Sequence, residues 1–165
     1  MYGKGTPAGR FDGDVEVAGN LNMLSQGDVI LNDLAEHFDA TDGGAEPGTV
    51  MVVDHDGNLR PGDSAYDRRV AGVVSGAGNF KPGIILGNQQ SSAKDSLIAL
   101  LGKVYCKVDA SSSPIEVGDM LTTSATPGHA MKATDPSRAF GAVIGKALRP
   151  LPSGCGMIPI LIALQ

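Results

Sequence analysis

The sequence predicts an all-β protein: a compact barrel-like or β-clip body of short strands, preceded by a short intertwined β stem that makes the whole trimeric. Three observations carry this. The 23 glycines and 10 prolines are a fifth of the 165 residues, against about 12% in an ordinary chain, and helix interiors do not tolerate either at that density. Apolar residues make up 42% of the chain, yet only 4% are aromatic and Trp is absent, so the core is aliphatic. Short apolar runs recur between turns rich in Gly and Pro, which is the pattern of short strands. The length has room for one domain with a small appendage.

Residues 11–31 read FDGDVEVAGNLNMLSQGDVIL. Val15 with Val17, Leu21 with Met23, and Val29 with Leu31 form alternating apolar pairs, separated by Gly13, Gly19-Asn20 and Gly27. Strand fragments this short do not stand alone in water. Three chains wound about a common axis, each burying one apolar edge, would satisfy them, so these six residues are the expected trimer stem. A flexible arm docked on the body is the alternative.

The arm and stem thus occupy 1–32, an acidic junction 33–48, and a β body 49–165. In the junction, Leu34, Ala35 and Phe38 have the spacing of one helical turn, capped by Asn32 or Asp33, before the DGG and EPG steps stop any helix. The body opens with a strand at 49–53, a turn at His55-Asp56-Gly57-Asn58 and a short strand near Leu59. A strand at 70–74 and the run KPGIILG follow. SSAKDSLIAL offers a helix start at Ser91 or Ser92, but 98–108 fits a strand better. IEVGDMLTTSATPGHAMKA, a strand in FGAVIGKAL and the final GMIPILIALQ complete the body.

A faint internal repeat runs through it. Glu46-Pro47-Gly48-Thr49-Val50-Met51 aligns with Glu116-Val117-Gly118-Asp119-Met120-Leu121 at an offset of 70, and Gly72–Gly76 aligns with Gly141–Gly145 at 69. Two pseudo-repeats over 46–76 and 116–145 are therefore expected, packed as one barrel-like or clip-like unit; chance similarity in a Gly-rich chain is the alternative.

The formal net charge of −5 gives no electrostatic footprint for nucleic acid or an anionic membrane. The charge is uneven: residues 1–60 hold eleven Asp or Glu against three Lys or Arg, and residues 61–165 seven against ten. Such a chain is able to meet a copy of itself head to side, with solvent exposure of both regions as the equal alternative. No apolar run reaches the roughly 18 residues that span a membrane, and the first residues lack the basic and apolar sections of a signal peptide.

Chemistry-bearing motifs are sparse. Cys106 and Cys155 form no Cys-x-x-Cys pair and lie in apolar strand-like surroundings, so both are expected as buried free thiols, with one disulfide as the alternative. His37, His55 and His129 have no metal-ligand spacing. Asp54-His55-Asp56-Gly57-Asn58 lacks the continuation to a closing Glu of a calcium loop and reads as a β-turn. Val73 stands where a Gly-x-Ser-x-Gly elbow around Ser75 needs glycine. No catalytic residue, metal or cofactor is assigned, and an enzyme is the less expected outcome. Tyr66, beside Arg68 and Arg69 in DSAYDRR, is the ring most expected at the surface, as an inter-strand or inter-subunit anchor or a glycan contact.

The stem-like segment, the junction Asp33-Leu34-Ala35-Glu36-His37-Phe38 and the EPGTVMVVDHDG that follows resemble the C-terminal portions of phage tail-fibre and neck-appendage proteins and their bacterial relatives. Within these the chain is most similar to the peptidase G2-like intramolecular chaperones, over roughly residues 11–80. The resemblance implies Asp33, Ala35, Glu36 and Phe38 as junction positions, Gly48 as the turn into the body, a homotrimer, and a place on a virion or cell-surface appendage. The expected function is a structural fibre-tip or trimerisation module without cofactor, its loops presented to a cell-surface glycan or protein, with no nucleic-acid partner and no membrane insertion. The alternatives are a self-cleaving chaperone domain, for which no motif places a dyad, and a soluble β module with another binding role.

Overall fold

The computed structural model describes residues 33–41, 44–80, 82–86 and 95–164. The six stem positions Val15, Val17, Leu21, Met23, Val29 and Leu31 lie outside the described residues. Within them the strands are β1 (Asp33–Asp39), β2 (Val50–Val53), β3 (Leu59–Pro61), β4 (Val70–Val74), β5 (Ile84–Leu86), β6 (Asp95–Asp109), β7 (Met120–Thr123) and β8 (Ala130–Lys132). A four-residue helix α1 (Pro136–Ala139), β9 (Val143–Ala147) and β10 (Cys155–Ile162) complete the order. The body is all-β and barrel-like, as its strand-and-turn patterning predicts.

The long strand β6 organises it. Over its second half Val104, Cys106 and Val108 are buried while Lys103, Tyr105 and Lys107 point the other way, the period of two of a half-buried strand. This half pairs antiparallel with β10, β10 pairs with β9, β9 with β7, and β7 with β8. A parallel link of Val108 to Ala130 returns β8 to β6 and closes the ring. Its interior is aliphatic: Val104, Cys106, Val108, Leu121, Ile144, Ile158, Ile160 and Ile162 are buried together. The first half of β6 carries β1 and β4, then β2 and β3. Here Met51, Leu59, Val74 and Ile98 form a second apolar cluster, with Phe38 against it.

Two units of the body share one hydrogen-bond scheme. β2 pairs with β3 and β4, with a register shift between Met51 and Val52; β7 pairs with β8 and β9, with a shift between Leu121 and Thr122. The Gly48 N–H donates to Val74 O and the Gly118 N–H to Ala147 O, both at 2.8 Å. Thr49 N donates to Glu46 O and Asp119 N to Glu116 O, both at 3.2 Å. Gly48 and Gly118 have φ of +89° and +90°, a region costly to residues with a Cβ.

The pairing also corrects one alignment. Met51 faces Gly72 and Leu121 faces Gly145, so the counterpart of Gly72 is Gly145 rather than Gly141, because the loop leading to β9 is longer. Both glycines stand where a neighbouring backbone comes close. A Cβ on Gly72 would lie 2.6 Å from Ala99 O on β6, and one on Gly145 would lie 2.1 Å from Leu161 O on β10.

Other expectations also change. The junction forms β1 instead of a helical turn, because β6 on one side and β5 on the other complete its backbone hydrogen bonds. Phe140 precedes the strand of its segment and sits at the C-cap of α1. Both thiols are free, but only Cys106 is buried; Cys155 is exposed at the start of β10.

Candidate interaction surface

The body carries a cavity of about 280 Å³ beside β2, β3 and β6. Ala40, Ala45, Met51, Leu59, Pro61 and Pro127 form apolar walls, and Glu46, Thr49 and Lys107 form a polar side. Strand alternation puts Lys107 there, outward from a β6 whose inward positions hold the core. Its Nζ donates to Glu46 Oε2 at 2.9 Å and to Thr49 Oγ1 at 3.1 Å. The Lys107 hydrogen bond, and then its charge, hold the Glu46 carboxyl below its ordinary range. The Glu46 side chain is 86% exposed, so this pair forms the rim. Ala40, Met51 and Leu59 in its walls belong also to the second apolar cluster and are buried.

A projecting feature lies elsewhere on the body. Asp135 caps α1, its Oδ1 accepting from Ser137 N at 2.9 Å. The helix delivers Phe140 to the surface at 85% exposure, over an open recess lined by Pro136, Ala139 and Val143. Arg138 stacks its guanidinium 4.4 Å from the Tyr66 ring centroid and donates to Ala65 O at 3.0 Å. The exposed Arg68 side chain passes by Gly141.

The structure thus gives the three expected contact residues different employments. The Tyr66 hydroxyl accepts from Thr134 N and Asp135 N, both at 2.8 Å, and anchors the α1 loop. Its φ of +60° is the left-handed conformation, held by these bonds and by the Arg138 stack. Arg69 forms a two-pronged pair with Asp67, at 3.0 and 2.8 Å, and Asp67 is held below its ordinary range chiefly by that hydrogen bond. Arg68 is exposed beside them, with no carboxylate at ion-pair distance among the described residues. Phe140 and the cavity had no local sequence signal: the first was read as part of a strand, and the second draws its walls from four separated segments.

The junction positions are packed into the body. Ala35 is fully buried, and Glu36 and Phe38 are half-buried. Asp33 is 4% exposed; its Oδ2 accepts from Ser75 Oγ at 2.5 Å, and its buried Oδ1 has no partner among the described residues. Gly48 turns the chain into β2, its carbonyl accepting from Lys107 N at 2.8 Å. Among the described residues no three His, Cys, Asp or Glu side chains gather as a metal set, and no helix is long and apolar enough to cross a membrane.

No protein-family model and no curated protein sequence matches the chain. Solved structures do. The pre-mature bacteriophage phi29 gene product 12 superposes with a TM-score of 0.63 at 13% identity, over 89% of this chain and 24% of that one. The C-terminal fragment of the same phage protein gives 0.52 at 15% identity, over 79% of this chain and 100% of the fragment. This chain therefore spans about a quarter of the length of the pre-mature protein. At these identities the likeness is one of fold, and it does not reach the narrower peptidase G2-like group: the all-β body shares the fold of phi29 gene product 12.

Proposed function

We propose that the chain is a structural module of a virion or cell-surface appendage that assembles with itself as a homotrimer and works without a cofactor. The observation that carries this is the fold shared with phi29 gene product 12 over 89% of the chain. In this reading Val15, Val17, Leu21, Met23, Val29 and Leu31 wind together with their counterparts in two other copies, and the β1 strand passes each stem into its body. The loops bearing Tyr66, Arg68 and Arg69 face a surface glycan or protein. Light scattering on the purified chain tests assembly: about 51 kDa, three copies of the 16.9 kDa chain, supports it, and a monomer at all concentrations refutes it.

A second reading, self-cleavage, is favoured by one observation. Asp33 and Ser75 are both buried, and their carboxylate and hydroxyl are in hydrogen-bond contact at 2.5 Å, with the other carboxylate oxygen unpaired among the described residues. Such a pair has the composition of a hydroxyl nucleophile and its base. Intact mass followed over days separates the readings. A defined fragment that disappears in Asp33→Asn supports cleavage, and an unchanged mass supports the structural module.

A further inference from the structure

The sheet face at the start of the body is apolar and bare. Leu34 is in register with Ile84 on β5 and with Leu101 on β6, and side chains so paired stand together on one face. Phe38, four residues along β1 and therefore on the same face, packs against the second apolar cluster; the row at Leu34 lies past it, with Leu101 58% and Ile84 45% exposed. Leu86, on the same side of β5, is 40% exposed, and Ile85, on the opposite side, 49%. β5 pairs with β1 alone among the described strands, so it is an edge strand, and its sequence is Ile-Ile-Leu. Edges of a single chain are ordinarily guarded by charge, proline or a covering segment, and adjoining bare apolar side chains mark a contact surface.

The place of this face in the chain says what covers it. The row starts one residue after Asp33, and Gly83 N donates to Asp33 O at 3.0 Å, which fixes β5 to the point where residues 1–32 enter the body. The three steps from Leu31 to Leu34 reach at most about 10 Å, and one strand spacing adds about 5 Å, so Ile84 and Leu101 lie within about 15 Å of Leu31. Stems that meet at Leu31 bring these faces together. We propose that the face of Leu34, Ile84, Leu86 and Leu101 is where the bodies of three copies meet around the axis set by their stems, each face covered by those of its two neighbours in a closed ring. This inference rests on the homotrimer reading and adds to it the surface by which the bodies meet.

The chain has no Trp, so Leu101→Trp in the full chain places a single fluorophore on this face. Phe140→Trp, at a position 85% exposed and outside the row, is the reference. Side chains at the centre of an interface are desolvated, so acrylamide quenching of the assembled Leu101→Trp protein is expected to fall roughly threefold or more below the reference, with blue-shifted emission, and to recover as dilution separates the copies. Leu101→Asp is the second variant. The side chain is exposed in the single chain, so the body should keep its circular dichroism and cooperative urea unfolding, while a buried unpaired charge should move assembly to about tenfold or more higher concentration. Light scattering on the same samples separates the ways of failing. A mass near 51 kDa with an indole as quenchable as the reference overturns the contact and leaves the trimer standing. An indole that stays protected in chains of 17 kDa gives the face to the chain's own residues 1–32 and overturns the contact, and 17 kDa for the unsubstituted chain at every concentration overturns both.

Discussion

The close passage of β10 over Gly145 yields the sharpest stability prediction. Gly145 pairs with Ile162, and a Cβ added to it would lie 2.1 Å from Leu161 O and 2.9 Å from the Ile162 Cα, inside the 3.0 Å limit that real Cβ atoms essentially never breach. Both obstacles are backbone, so no rotamer change relieves them. In Gly145→Ala, β10 must retreat by about an ångström. That weakens the pairing of Ile160 with Ala147 and Ile162 with Gly145, and the bond from Ala163 N to Ile144 O at 2.9 Å. Two to four such bonds at roughly 1 kcal/mol each, with about 1 kcal/mol of overpacking strain, give a loss of about 3–5 kcal/mol. At 2–4 °C per kcal/mol for a domain of this size, Tm falls by roughly 6–20 °C. Gly57→Ala is the control: its φ is +86° with open space around it, so only the left-handed backbone cost of roughly 1–2 kcal/mol applies. Equilibrium urea unfolding at fixed protein concentration compares the two. A Gly145→Ala loss no larger than that of Gly57→Ala would refute the account of how β9 and β10 pack.

Three further outcomes follow from single side chains. Burial pushes the Cys106 thiol up to about 12, whereas Cys155 is exposed; a thiol reagent should therefore label one cysteine in the folded chain and two after denaturation, and two in the folded state would contradict the core. Hydrogen bonds from Ser111 and then Thr126 lower Asp109 to about 2, below the roughly 3.9 of an unfolded Asp. Its contribution to stability is thus complete above about pH 4 and lost as the pH falls toward 2, and Asp109→Asn should flatten the pH dependence of unfolding in that window. Tyr66→Phe removes the acceptor of two backbone N–H groups, at a cost of about 1–2 kcal/mol because water replaces part of the pairing; an unchanged melting point would show that the α1 loop needs no such anchor.

Much of the body was legible because its strands carry their own pattern. Alternation across Val104, Cys106 and Val108, and the short apolar runs at 50–53, 70–74 and 143–147, reflect local burial. The junction was ambiguous for a physical reason: Leu34, Ala35 and Phe38 suit a helical face, while Leu34 and Phe38 also alternate, and the choice was made by pairing with β6 some sixty residues away. The repeat was visible where Glu46 and Glu116 begin equivalent turns. Its second half slipped by four residues because many glycines invite false matches, whereas strand register admits one. The cavity was illegible, since Ala45, Met51, Leu59 and Pro127 become neighbours only after the sheet forms. Phe140 gave the opposite error: the pattern of FGAVIGKAL places it in a strand, and the Asp135 cap and the turn of α1 carry it outward.

The central claim, a structural homotrimer held partly by residues 1–32, is tested most directly by absolute mass in solution, measured on the full chain and on a chain starting at Asp33. The account predicts about 51 kDa for the first, three times 16.9 kDa, and a smaller, concentration-dependent assembly for the second. A mass near 17 kDa for both would contradict it.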